Sequence, residues 1–178
     1  GTASYKGKYY RVNEVNSLPK PVSGRVPILI GGNDERRTLP LVARHADEWN
    51  CINLTPEQYA RKKELLNHHC ANVKRDPSEI RHTMMVFGLI GNNRESIDRV
   101  TRSIMKLPGM NPRTSLEEYR EEAREKGRIV GSTDQVIDQL GNLAEAGIQE
   151  VIFQHSEVGE DDLPEYLSSE IIPRVSEL

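Results

Sequence analysis

Gly31-Gly32 closes the apolar run Val26-Pro27-Ile28-Leu29-Ile30 and is the first place in this sequence where chemistry is expected. Glycines at the C-terminal end of a strand let backbone N–H groups approach an anion, and a helix N-terminus just beyond adds a favourable dipole. The pair equally serves as a tight strand-to-helix turn, because it lacks the full Gly-x-Gly-x-x-Gly fingerprint. His155 directly follows a second apolar run, Glu150-Val151-Ile152-Phe153-Gln154. That position is either the C-terminal rim where α/β folds keep reactive groups or a hydrogen-bonded surface site. Trp49, the only tryptophan, reads as a core aromatic, while Asn50 to Asn53 would carry amides to the same rim. Gly131-Ser132-Thr133 has similar strand-to-helix character, but helix capping by Ser132 and Gln135 accounts for it.

Other chemistries find little footing. His68, His69 and Cys70 are consecutive, so on a helix they point to different sides and cannot converge on one ion. His45 and Cys51 have no third ligand near them, and no metal site is expected. No Ser–His–Asp order, paired-carboxylate site or phosphate-cradling loop stands out. Two cysteines are too few for a disulfide framework and read as small buried apolar residues in a reducing compartment.

The elements that must position these residues alternate between strand and helix. Residues 1–25 are an irregular opening segment punctuated by Gly7, Pro19, Pro21 and Gly24, with at most a short strand over Lys8–Val12. Val26–Ile30 does not alternate in polarity, which fits a strand buried on both faces in a parallel sheet. Asn33 or Asp34 can cap the next helix, whose apolar positions are Leu39, Leu41, Val42 and Ala46. Pro40 places its start near Thr38 or kinks it. A strand over Glu48–Asn53 follows, then a helix capped by Thr55 with Pro56 first, ended by Arg75-Asp76-Pro77. Arg81–Ile90 is the third strand. Residues 92–130 form a polar helical insertion split by Pro108–Pro112, and its Glu/Arg-rich second piece, Ser115–Lys126, reads as a solvated face. A helix carrying Val136, Ile137, Leu140, Leu143 and Ala144 leads to the fourth strand, Glu150–Gln154, and a last helix runs from about Leu163 to Val175. Four strand–helix units imply a parallel sheet with right-handed crossovers, as an open doubly wound sheet or as part of a (β/α) barrel.

Composition agrees with one compact domain over 1–178. Its 178 residues carry 24 Lys+Arg against 27 Asp+Glu, a net charge of −3, with 36% hydrophobic and 29% charged residues. This balance gives no bulk attraction to nucleic acid or anionic lipid. No apolar run approaches the roughly 20 residues of a membrane span, and the first residues lack the apolar core of a signal peptide, so the expected location is cytoplasmic.

The ordered set Lys20-Pro21-Val22, Val26–Gly32, Arg36-Arg37-Thr38-Leu39 and Ala43-Arg44-His45-Ala46-Asp47-Glu48-Trp49-Asn50 resembles the luciferase-like monooxygenase family. The similarity includes the branch of oxidoreductases that use the deazaflavin coenzyme F420. Tyr5–Tyr10, Arg75–Ile80 and Gly131–Gln135 extend it, in order and spacing, from near residue 5 to about residue 155. The resemblance implies an α/β fold of (β/α)8 TIM-barrel type, of which this chain covers only the C-terminal half. The strands ending at Gly32, Asn53, Ile90 and Gln154 then look like strands five to eight. It implies Gly31 and Gly32, with Ile30 and Asn33 beside them, as backbone contacts to the tail phosphate of a flavin or deazaflavin, and Ile52 and Asn53 as lining of the cofactor pocket. Pro40 departs from the family pattern. Catalytic residues are expected in the N-terminal half of such a barrel.

The implied activity is F420-dependent hydride transfer to a small organic substrate, the redox chemistry belonging to the cofactor. FMN-dependent monooxygenation and a non-catalytic half-barrel module are the alternatives. Half a barrel exposes two strand edges, so a homo-oligomer or a missing N-terminal half is expected to cover them.

Overall fold

In the computed structural model, which describes residues 1–107, 115–154 and 162–176, four parallel strands form the body of the sheet. These are β3 (Leu29–Gly31), β4 (Glu48–Ile52), β5 (Arg81–Ile90) and β7 (Glu150–Gln154). β4 pairs with β3 and with the first half of β5, from Glu48 opposite Arg81 to Ile52 opposite Met85. β7 pairs with β5 from Thr83 opposite Glu150 to Phe87 opposite Gln154. The spatial order therefore repeats the chain order, which short right-handed crossovers require. These are the four strands the sequence indicates.

Side chains alternate across this sheet, and the two faces differ in kind. Trp49, Cys51, Met84 and Val86 point to one side, into a core closed by α1 (Thr38–His45), α2 (Pro56–Asn72) and α5 (Thr133–Ala146). The C-terminal helix joins this layer as α6 (Asp162–Tyr166), a π turn at Leu167–Ile171 and α7 (Ile172–Val175). Glu48, Asn50, Ile52, Thr83, Met85 and Ile152 occupy the opposite face, which no helix of this layer covers. A polar ladder crosses it: Asn50 Nδ2 donates to Thr83 Oγ1 at 2.8 Å and Thr83 Oγ1 donates to Glu48 Oε1 at 2.8 Å. Arg81 lies between Glu48 and Glu150, 2.6 Å from the latter.

The helix starts follow their capping residues. Thr55 and Gln58 form a reciprocal capping box at α2, with Pro56 in the first turn where its missing N–H costs nothing. α1 begins at Thr38, so Pro40 is accommodated in its first turn. In α1 the buried positions are Leu39, Val42 and Ala43, whereas Leu41 is exposed. The other end of α1 is held by Arg75, whose guanidinium donates to the carbonyls of Val42 and Ala43 at 3.3 Å and of Ala46 at 2.7 Å. A cation there satisfies the last carbonyls and opposes the negative end of the helix dipole.

Several expectations are corrected. The run Val26–Ile30 is not buried on both faces: β3 covers only Leu29–Gly31, and Val26, Ile28 and Leu29 are exposed. Among the described residues β3 has a partner on one side only, so nothing covers its outer edge. The opening segment is not irregular throughout. β1 (Ala3–Lys6) and β2 (Arg11–Val15) form an antiparallel hairpin closed by the Gly7 N–H to Tyr10 carbonyl bond. An extra short strand, β6 (Ile129–Gly131), pairs with Gly88–Ile90 beyond the end of β4. Its two apolar residues carry no periodic signal, and pairing to β5 creates it.

The insertion contributes α3 (Arg94–Met105) and α4 (Leu116–Glu125). α4 is not simply a solvated face. Arg120 is buried against Asp98 of α3, and Ala123 joins Leu89 and Val130 in a small second core. The proposed break at Pro108–Pro112 lies outside the described residues.

The main core also buries a polar pair. Tyr59 Oη is 2.7 Å from His82 Nδ1 and 3.2 Å from the Gly147 carbonyl. Burial, together with the nearby Lys63 ammonium, lowers the His82 pKa from 6.5 to about 4. Between those values the unfolded chain binds a proton that the folded chain does not. Stability is therefore full above pH 6.5 and falls as pH drops toward 4, by at most about 3 kcal/mol. Replacing His82 with Asn, which keeps a polar amide near the Tyr59 hydroxyl but does not titrate, should flatten thermal midpoints measured across pH 4.5–7. A second expectation concerns Arg75→Ala. Three carbonyls lose a charged donor, and denaturant titration should show a loss of about 1.5–3 kcal/mol.

Candidate functional site

At the C-terminal ends of β3, β4 and β5 the sheet does not simply stop; side chains extend it. The Asn33 amide mimics another strand residue, with Oδ1 accepting from the Ile52 N–H at 2.9 Å and Nδ2 donating to the Ile52 carbonyl at 2.6 Å. One strand further on, Asn53 donates its backbone N–H to the Met85 carbonyl at 3.0 Å and accepts the Phe87 N–H on Oδ1 at 2.8 Å. Asn53 holds a left-handed φ of 45°, a conformation in which Asn is several-fold enriched. The side-chain Nδ2 of Asn53 has no partner among the described residues.

Gly32 is fixed from two sides. Its N–H donates to the Asn50 carbonyl at 3.0 Å, and its own carbonyl accepts from Trp49 Nε1 at 2.9 Å. Its φ of +120° is closed to L side chains, and an added Cβ would sit 3.3 Å from Thr38 Oγ1. Gly31 is different. Its φ is ordinary, and an added Cβ would meet only the Asn50 carbonyl, at 3.7 Å. Nothing inside the chain requires a glycine at 31, which lies on the same face as Glu48, Asn50 and Ile52. The missing side chain leaves a notch against the backbone on that face.

The electrostatics of this rim differ from the simplest expectation. The first N–H groups before and within α1 are already taken: Asp34 Oδ1 accepts from Arg36 and Arg37, and the Asp34 carbonyl accepts from Thr38 and Leu39. The first N–H groups of α1 are thus met by the chain's own backbone, with the Asp34 carboxylate on the turn just before the helix. The cation beside the glycines is Lys62, whose Nζ donates to the Asn33 carbonyl at 3.0 Å and to Glu35 Oε1 at 2.9 Å. Hydrogen bonding to Lys62, and its charge, hold the Glu35 carboxyl below its usual range.

Of the six residues singled out by sequence, Gly31 and Ile52 share the open face with Met85. Gly32, Asn33 and Asn53 form its rim. Ile30 packs its side chain toward the core and offers only its backbone. Asn50 is buried and bonded to Thr83 on the neighbouring strand, so of the amides expected at the rim Asn53 is the more accessible. Trp49 is fully buried, as a core aromatic should be, but it also carries the bond to Gly32. Lys62 carries no sequence signal, being one cation among several on a solvated helix. His155 lies outside the described residues. Cys51 and Cys70 are free and buried, and burial pushes the Cys51 thiol up to about 12. Among the described residues no group of three or more His, Cys, Asp or Glu side chains is arranged to hold a metal ion. Nor is any described helix long and apolar enough to cross a membrane.

The profile of the luciferase-like monooxygenase family matches residues 1–150. The chain belongs to this family. No curated protein matches its sequence. Solved structures that share its fold include an F420-dependent secondary alcohol dehydrogenase in complex with an F420-acetone adduct, with a TM-score of 0.73 at 16% identity over 98% of this chain and 56% of that one. The F420-dependent tetrahydromethanopterin reductase of Methanopyrus kandleri gives 0.67 at 17%, over 97% and 58%. A riboflavin lyase with modified FMN and riboflavin gives 0.70 at 13%, over 99% and 48%. At these identities the likeness establishes the fold alone, as part of the TIM barrel of luciferase-like enzymes. The chain spans about half the length of each of these structures.

The rim geometry separates the two glycines experimentally. Gly32→Ala forces a side chain into a positive-φ position and against Thr38, and chemical denaturation should report a loss of about 1–2 kcal/mol. Gly31→Ala should leave the denaturation midpoint where it is.

Proposed function

We propose that this chain forms the cofactor-tail side of the active site of an F420-dependent oxidoreductase, which transfers a hydride between the deazaflavin and a small organic substrate. The observation that carries this reading is the notch at Gly31, a glycine the chain's own packing does not need, beside a glycine whose carbonyl is locked by Trp49. An extended cofactor tail can lie against such a backbone without displacing a side chain. Lys62 supplies positive charge at that loop, and the free Nδ2 of Asn53 supplies a directional donor one strand away. Ile52 and Met85 give the same face an apolar wall. The family match supports the cofactor class, and two of the structural relatives named above are F420-dependent enzymes. When bound, the deazaflavin supplies the hydride chemistry; these residues bind and orient it.

FMN-dependent monooxygenation is the second reading, favoured by the FMN-containing relative. Separate fluorescence titrations of the chain with F420 and with FMN decide between them. Tighter binding of F420 is expected; tighter binding of FMN would move the assignment to the monooxygenase branch. If neither binds, the reading fails for this chain. Gly31→Val, which fills the notch, should weaken binding by about tenfold or more, equivalent to about 1.4 kcal/mol, without lowering the thermal midpoint.

A further inference from the structure

Arg128 stands at the joint between α4 and β6, at the C-terminal end of the open face. β6 pairs with β5 from Gly88 opposite Ile129, so Arg128 falls one register step earlier, beside Phe87. Phe87 follows Thr83 and Met85 by twos along β5 and shares their face. The Arg128 guanidinium lies over the Phe87 ring, its Cζ 5.8 Å from the centroid, a distance at which the ring attracts a cation. Its Nη1 donates to Tyr119 Oη at 3.0 Å. The backbone beneath it is equally fixed. Gly127 holds a φ of +71°, and a Cβ added there would lie 2.5 Å from the backbone of Asn53 and Leu54. The Arg128 N–H donates to the Ala123 carbonyl at 2.9 Å.

What this guanidinium lacks is a carboxylate. Among the described residues no acidic side chain pairs with it, and Glu122, near the end of α4, is bonded to Lys126 instead. At the opposite end of the same face Arg81 meets both Glu48 and Glu150. Arg128 is half-buried, yet its Nε and Nη2 carry no hydrogen bond to a described residue. That edge of the guanidinium offers two parallel donors, the geometry that matches a carboxylate in bidentate fashion. The segments that hold it, the end of β4, β5, α4 and β6, all belong to this chain.

We infer that Arg128 determines substrate specificity by taking the substrate's carboxylate, so that the substrate is a small organic acid whose apolar body lies over Met85 and Ile52. The inference rests on the reading of this face as the active site. Gly31 and Lys62 serve β3, two strands away from β5, about 10 Å at the usual strand spacing. An anion at Arg128 is therefore distinct from a cofactor tail at the glycines. The test is a fluorine NMR titration of the full chain with 4-fluorobenzoate and with 4-fluorobenzamide, which share a ring and differ in charge. It is run on wild type, Arg128→Gln and Arg128→Lys.

Wild type is expected to bind the benzoate about tenfold or more tightly than the benzamide. Arg128→Gln should erase that preference, and Arg128→Lys, which keeps the charge but loses the fork, should retain only part of it. A wild type that does not distinguish the two probes overturns the inference, as does a preference that survives Arg128→Gln. The wild-type ratio and Arg128→Lys carry the test if Arg128→Gln does not fold. F420 and FMN titrations of the same proteins keep the two readings apart. Cofactor affinities within about twofold of one another support a substrate contact, whereas a loss of about tenfold in Arg128→Gln assigns the guanidinium to the cofactor's own phosphate and overturns the inference. Cofactor binding without a benzoate preference sinks this inference alone. Benzoate preference without cofactor binding sinks the cofactor reading and leaves Arg128 as a carboxylate site.

Discussion

The bond from Trp49 Nε1 to the Gly32 carbonyl joins the interior of this protein to its rim. The indole is wholly buried, stacked on Tyr59 at 5.9 Å between centroids and edge-on to His82 at 5.4 Å. Those contacts leave the ring little freedom, and a rigid donor fixes its acceptor. The direction of the Gly32 carbonyl, and with it the backbone over which a cofactor tail would pass, is therefore set by packing between β4, β5 and α2. A loop that a flexible side chain merely touched would have no such precision. The helix-side core also matters to the rim because Tyr59, which holds one face of the indole, is itself anchored to His82 and Gly147.

A recurrent device closes the strands. Asn33 bonds both polar groups of Ile52, Asn53 bonds Phe87, and Gln139 bonds both the N–H and the carbonyl of Val130 at 3.1 Å. In each case an amide side chain stands where a further strand residue would be. Backbone groups near the end of a sheet need partners, and water supplies them less rigidly than a planar amide does. The rim of this half barrel is thus ordered by side chains rather than by continued strand pairing, which lets Gly31 and Ile52 hold their places on the open face.

Much of this was legible in the residues. Non-alternating runs such as Met84-Met85-Val86-Phe87 and cap signals such as Thr55 with Pro56 identify the strand–helix order because they act locally. The glycine pair was legible as a special place, but not the division of labour within it. Gly32 is dictated by φ and by Thr38, while Gly31 is free of both, and only three-dimensional neighbours distinguish them. Three features were not readable. β6 exists only through its pairing to β5, the burial of Arg120 depends on Asp98 in a different helix, and the exposure of Val26–Leu29 depends on which strand edge lacks a partner. Composition records that an apolar run wants cover; it does not say what provides it.

Asp34 and Arg75 together make α1 unusual. Eight residues are too few for a helix to persist in water by itself. Here its first N–H groups are met by Asp34 and its last carbonyls by the Arg75 guanidinium, while Asp47, just past its end, holds the Ile28 N–H at 2.7 Å. Neither end has a loose turn from which fraying could begin. β3, α1 and β4 are therefore expected to open and close as one cooperative unit, its helix exchanging amide protons no faster than the strands it connects, so that the glycine rim is lost only when the whole unit is lost.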